Sequence, residues 1–187
     1  IEPVTGDIAI TPDGKTMAAG DGAIVRLWDP RWASSSKAFE GEKTAVRRLA
    51  IAPDGRHLAS IHNDGAICVC DMLTGKVVRR FRVTGEDPRM EISLSRAPGL
   101  TFSQDGRFVI SVTSGRWTTM IEVWEVVSGQ QMQRIMIEKK YLAGPALLNV
   151  GQRLLVSDHW SAPRIYDLPT GKFLPDALDN TPMHGLT

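Results

Sequence analysis

Apolar and polar residues alternate along this chain in short runs of four to seven positions. "AIVRLW" at 23–28, "HLASI" at 57–61, "AICVC" at 66–70 and "MIEVW" at 120–124 are examples, and Val and Ile recur in them. Period-two alternation with β-branched residues is strand chemistry. No long stretch carries a helical period. The pattern therefore predicts a nearly all-β chain of short strands, without a helix longer than about three turns between Gly14 and Gly171.

Two marks punctuate the runs. The first is a turn: "TPDGK" with Asp13 and Gly14, "APDGR" with Asp54 and Gly55, "SQDGR" with Asp105 and Gly106, and a worn copy, "NVGQR", with Gly151. Successive glycines lie 41, 51 and 45 residues apart. Asp-Gly is a strong tight-turn signal, and turn formation accounts fully for Asp13, Asp54 and Asp105. The second mark is an aromatic-acid pair that closes an alternating run: Trp28-Asp29, Trp124-Glu125 and Tyr166-Asp167, with Cys70-Asp71 as the copy that lost its ring. These acids are spaced 42, 54 and 42 residues apart. In the last three copies a small turn follows, at Thr74-Gly75, Ser128-Gly129 and Thr170-Gly171. Each repeat reads as four antiparallel strands, in the second copy roughly 46–51, 57–61, 66–71 and 76–82.

"ITPDGKTMAAGDGAIVRLWDP" and "IAPDGRHLASIHNDGAICVCDMLTGKVVRRF" resemble the WD-repeat β-propeller family, and bacterial members are the closest in phrasing. The resemblance runs over nearly the whole chain. It implies WD-type blades at roughly 7–40, 44–82, 98–136 and 145–175, radially arranged in a single region spanning 1–187. "HGLT" at 184–187 matches "PGLT" at 98–101 and reads as the start of a further blade. WD-type propellers usually close with more blades than four. Three readings stay open: a piece of a longer protein, a ring closed by a second copy, and closure of four blades alone. In each, the edges at 8–11 and 184–187 are expected to be paired rather than bare. The family often carries a hydrogen-bond chain of His, Ser or Thr, Asp and Trp. Here Glu42 stands where that His is expected. Asp21 and Asp64 match the Asp, Ser60 the Ser, and Trp28 and Trp124 the Trp, but no blade holds the full set. The expectation is blades without that network, with Trp28 and Trp124 in the blade cores.

Composition adds bounds rather than an activity. The chain has 187 residues, 42% hydrophobic residues and a formal net charge of +1. That suffices for a real core and gives no general pull toward nucleic acid or acidic membranes. No apolar run approaches the ~20 residues of a membrane span. Cys68 and Cys70 would point to one face of a strand about 6.5–7 Å apart, too far for an easy disulfide. They read as buried small hydrophobes, and the cytoplasm is the expected compartment. "GKT" at 14–16 lacks the preceding Gly and the helix of a phosphate-binding loop, because Ala9 stands in the Gly position. His57, His62, His159 and His184 are scattered without metal-ligand spacing. No cofactor is expected.

Irregular segments carry the candidate chemistry. The loop "VTSGRWTTM" holds Arg116 and Trp117, "SDHWSAP" holds His159 and Trp160, and the connector "VTGEDPRMEISLSRAPG" holds Arg96. In WD-type blades such loops and connectors share one face of the disc. Arg and aromatic residues are enriched at interface hot spots. Trp32 belongs to a loop on the opposite face. Arg79, Arg80 and Arg82 in "VVRRFRV" read as an edge-protecting outer strand. The resemblance thus implies a non-catalytic scaffold for protein partners, of the kind fused to signalling domains in bacteria. The alternative is a propeller-based hydrolase or lyase, which would need titratable residues from several blades converging on the axis.

Overall fold

Four antiparallel sheets follow one another along the chain, built from strands and turns. The structure, a computed structural model, describes residues 7–29, 36–40, 43–83, 99–114, 118–138, 146–150, 153–157 and 164–175, and no α-helix occurs among them. The first sheet holds β1 (Ile8–Ile10), β2 (Met17–Asp21), β3 (Ile24–Trp28) and β4 (Ser36–Glu40). The second holds β5 (Val46–Ile51), β6 (His57–His62), β7 (Ala66–Asp71) and β8 (Val77–Arg82). The third holds β9 (Gly99–Phe102), β10 (Phe108–Ser114), β11 (Thr118–Glu125) and β12 (Gln131–Glu138). The fourth holds β13 (Ala146–Val150), β14 (Arg153–Ser157) and β15 (Arg164–Asp167). Within each sheet sequence neighbours pair in order. Strand β1 touches β5, β5 touches β9, and β9 touches β13, so the first strands lie innermost and the sheets radiate from them. These are WD-type propeller blades, and they close no ring among the described residues.

The fourth sheet departs from the four-strand expectation. Among the described residues, the Tyr166–Phe173 bridge and a Leu174 N–H to Ile165 carbonyl bond (2.8 Å) continue the ladder past β15. Pro175, the last described residue, has no N–H to donate to a ladder.

Turn chemistry explains why the strands reverse where they do. Gly14, Gly55 and Gly106 donate to the carbonyls of Thr11, Ala52 and Ser103 at 2.8–2.9 Å. The Asp13, Asp54 and Asp105 carboxylates accept from the backbone N–H groups of Lys15, Arg56 and Arg107. The hydroxyls of Thr11 and Ser103 also donate to Asp13 and Asp105 and hold those carboxyls below the usual carboxylate range.

Among the described residues the core consists of three separate inter-sheet layers. Val25, Leu27 and Phe39 of the first sheet meet Val46, Leu49, Leu58 and Met72 around the second. The other face of the second sheet, with Ile61, Ile67, Val69 and Phe81, meets Phe102, Val109 and Trp124 of the third. Ile110, Val112, Ile121 and Val123 of the third meet Leu154, Tyr166 and Leu168. Alternation along each strand thus feeds two interfaces at once, and both faces of an inner blade are apolar. Trp124 is buried and stacks on Phe81, with centroids 5.3 Å apart and planes 19° apart. Trp28 does not share that fate. It occupies the same repeat position, but its face of the first sheet meets no other sheet among the described residues, and it is half-buried. Ile8 and Ile10, on the same sheet, are 56% and 58% exposed.

A side-chain clamp ties β8 and β12 each to the next blade. The Arg79 guanidinium on β8 donates to the Val127 carbonyl, and Gln133 on β12 donates to the Pro169 carbonyl at 2.9 Å. Val127 and Pro169 hold equivalent places in the turns that follow the third strands. The glycines of these turns pack against the preceding blade. A Cβ built on Gly75 would sit 2.8 Å from Phe39 Cε1, and Gly75 has φ +73°. Gly75→Ala should therefore cost about 2–3 kcal/mol in urea unfolding, summing left-handed strain and a displaced ring. Gly14→Ala has the same backbone strain but nothing within 4 Å. It should cost only about 1 kcal/mol. Equal losses at the two positions would remove the inter-blade part of this account.

Candidate functional site

Arg96, Arg116, Trp117, His159 and Trp160 lie outside the described residues. Their supporting strands do not. β10 ends at Ser114 and β11 begins at Thr118; β14 ends at Ser157 and β15 begins at Arg164. Both intervals connect the second strand of a sheet to its third, in consecutive sheets packed together through Ile121, Leu154 and Tyr166.

The corresponding end of the first two sheets shows how such turns and connectors gather. Val46 N–H, just after the connector from the first sheet, donates to the Gly22 carbonyl at 2.7 Å. Val83 N–H, leaving the second sheet, donates to the Gly65 carbonyl at 2.9 Å. The turns at 22–23 and 63–65 thus share an end with the connectors.

That end also holds a network which the sequence expectation missed. His62, at the end of β6, is fully buried. Its Nδ1 lies 2.9 Å from the Thr44 carbonyl and its Nε2 lies 3.0 Å from Ser60 Oγ. A carbonyl can only accept, so Nδ1 carries a proton. The Thr44 hydroxyl donates to Asp64 Oδ1 at 3.0 Å, and Arg82 pairs with Asp64 Oδ2 at 3.1 Å. The second blade therefore has a His-Ser-Thr-Asp chain, although no His stands at position 42. The family's His is replaced by one from within the blade, two residues after Ser60 on the same strand face. The spacing Ser60-x-His62 immediately before Asn63-Asp64-Gly65 was the available signal. The third blade has Thr113 at the position of His62. There Ser111 Oγ, the counterpart of Ser60 Oγ, is buried without a hydrogen-bond partner among the described residues.

The opposite end, with the Asp-Gly turns, is held by carboxylates. Asp71 accepts from the Thr74 backbone N–H at 2.8 Å and from Arg56 Nε at 2.8 Å. The Thr74 N–H first, and Arg56 next, hold its carboxyl down at about 2. His57 Nδ1 lies 2.7 Å from Asp54 Oδ2 in the neighbouring turn. These contacts fix turns. For Asp71 the folded value lies below the ordinary 3.8, so its contribution is fully present above about pH 4 and is lost as pH falls toward 2. The melting-temperature gap between the wild type and Asp71→Asn should be open at pH 7 and narrow between pH 4 and pH 2. A gap constant across that window would show that Asp71 acts through shape and not charge.

Cys68 and Cys70 are buried and unbridged, as the alternation implied, and burial pushes the Cys70 thiol up to about 11. Arg79, Arg80 and Arg82 are exposed on β8, an outermost strand.

Sequence comparison agrees with this architecture. The family model of the anaphase-promoting complex subunit 4 WD40 domain matches residues 23–95. The target of rapamycin complex subunit wat1 of Schizosaccharomyces pombe is 31% identical over 102 residues, covering 54% of this chain and 32% of the relative. WD repeat-containing protein 55 of Arabidopsis thaliana is 27% identical over 110 residues, 58% of this chain and 28% of the relative. The ribosome biogenesis protein erb1 of Aspergillus fumigatus is 42% identical over 50 residues, 27% of this chain and 6% of the relative. The matches thus span a third or less of these relatives' lengths. All three relatives are eukaryotic, so the bacterial phrasing of the repeats, and a bacterial signalling role with it, draws no support from them. With four radiating sheets, Asp-Gly turns at matching places and similarity to WD-repeat proteins over about half its length, the chain is built of WD-type repeats.

Proposed function

We propose that this chain is a non-catalytic protein-interaction module that works in the cytoplasm. Its partner surface is the end of the blades bearing the second-to-third-strand loops and the connectors, and its contact residues are Arg96, Arg116, Trp117, His159 and Trp160. The partner is a protein, rather than nucleic acid or membrane. The observation that carries this reading is the register of consecutive sheets: β10–β11 and β14–β15 are joined at equivalent places, and the first two sheets gather such turns with the connectors. A relative named as a target of rapamycin complex subunit makes a multi-protein assembly the natural setting.

The test is substitution of each indole. Trp117→Ala and Trp160→Ala should each weaken binding to the partner recovered with the wild-type protein by about 2 kcal/mol, roughly thirtyfold, in calorimetric titration. Melting temperatures should hold. Lowered melting with unchanged binding would mean that the rings pack their own loops.

A further inference from the structure

The innermost strands carry almost no charge. β1, β9 and β13 read IAI, GLTF and ALLNV, while β5 reads VRRLAI. Among the described residues, Arg47 and Arg48 are therefore the charged positions of the layer from which the sheets radiate. A β-bulge separates the two. Val46 faces His62 across the ladder and Arg48 faces Ile61, so Arg47 is an extra residue with no opposite number on β6. The bulge is fixed from the first blade. Val46 N–H donates to the Gly22 carbonyl at 2.7 Å, and Leu49 N–H donates to Asp7 Oδ2 at 2.9 Å. Asp7 also neutralises Arg48, 3.5 Å from its guanidinium. Arg47 is exposed and has no ion-pair partner among the described residues, and the same holds for Lys43 just before the strand. The described acids of this end are already engaged, Asp21 with Arg26 at 2.8 Å and Asp64 with Thr44 and Arg82. A bulge gives up ladder pairing to re-aim one side chain, and here that side chain is an unpaired arginine.

We propose that Arg47, with Lys43, is an anion-recognition point on the axial side of the loop end, which takes carboxylates from an acidic segment of the protein partner. It rests on the reading of that end as the partner surface, and it adds the partner's charge to that reading. A planar guanidinium holds a carboxylate through two parallel N–H bonds, and an ammonium beside it admits a second acid. A polyanion is the poorer match. Nucleic-acid affinity draws on a run of phosphate contacts, whereas Arg26, Arg48 and Arg82, the other cations at this end, are already held by acids.

The probe is a capped peptide, Gly-Glu-Gly-Glu-Gly, titrated into the isotopically labelled 187-residue chain and followed by NMR. Shifts should concentrate on the amides of 43–48 and on the Arg47 Nε–H. The arginine row of β8, at 77–82, is the internal control and should stay still. Arg47→Gln should weaken binding by about tenfold with the melting temperature intact, because the side chain is exposed and unpaired. Arg79→Gln should leave it unchanged, and the Gln counterpart of the peptide should give no shifts. Equal shifts on β8, equal shifts from the Gln peptide, or an affinity that survives Arg47→Gln would overturn the proposal. An oligothymidylate of equal charge that binds the same amides more tightly would overturn it too, by assigning the cations to nucleic acid. Trp117→Ala and Trp160→Ala test the loop reading separately. The peptide has no apolar side chain, so shifts that persist in both variants support the arginine site whatever those variants do to partner binding, and shifts lost in either overturn it.

Discussion

Replacing Trp124 with Ala should lower stability by about 3–5 kcal/mol, the largest loss expected from a single truncation among the described residues. The ring is buried between the second and third sheets and stacked on Phe81 at 5.3 Å. Truncation removes the transfer energy of the indole, leaves a cavity in a layer shared by two sheets, and forfeits the stacking. Its Nε1 has no hydrogen-bond partner among the described residues, so Trp124→Phe gives up packing volume and no hydrogen bond. That change should cost about 1–2 kcal/mol. Trp28→Ala, at the equivalent repeat position, should cost only about 1 kcal/mol, because that ring is only partly buried and its face meets no other sheet among the described residues. Urea unfolding of the three variants checks the ordering. Equal losses at Trp28 and Trp124 would mean that repeat position, rather than the neighbouring sheet, sets the energy.

His62→Ala is the second large effect, at about 3 kcal/mol. The substitution empties a fully buried site and strips partners from Ser60 Oγ and the Thr44 carbonyl. Unpaired buried polar groups bear their full desolvation cost, which exceeds the net worth of the bonds themselves. A companion variant separates the two contributions. Ser60→Ala removes one hydroxyl and leaves the Nδ1 bond to Thr44 in place, so it should cost about 1 kcal/mol. If His62→Ala costs no more than Ser60→Ala in thermal and urea unfolding, the imidazole is filling space and the network is not a stabilising unit.

Much of the fold was legible because its signals are local. Alternation placed the second blade's strands at 46–51, 57–61, 66–71 and 76–82, and the structure has them at Val46–Ile51, His57–His62, Ala66–Asp71 and Val77–Arg82. A side chain's face depends on its own strand's period, and a turn depends on four consecutive residues. The proposed contact residues break the repeat, and a broken repeat does not fix geometry. Departure from a pattern marks where a loop is without specifying where its side chains go.

By itself the sequence determined the strand-and-turn grammar, the order of the blades and the burial of Cys68 and Cys70. Each depends on residues within a few positions of one another, where backbone geometry leaves few choices. Only the tertiary structure decided which of two equivalent tryptophans is core, because Trp124 has Phe81 of the preceding sheet against it and Trp28 has no such neighbour among the described residues. It also decided that His62 completes a buried network, through a carbonyl 18 residues earlier, and that Gly75 must stay small, because Phe39 lies across the blade boundary. Those outcomes depend on distances between sheets. A repeat specifies that sheets stack, while the side chains that meet across each boundary come from two different copies, and their fit is settled only when the copies are packed together.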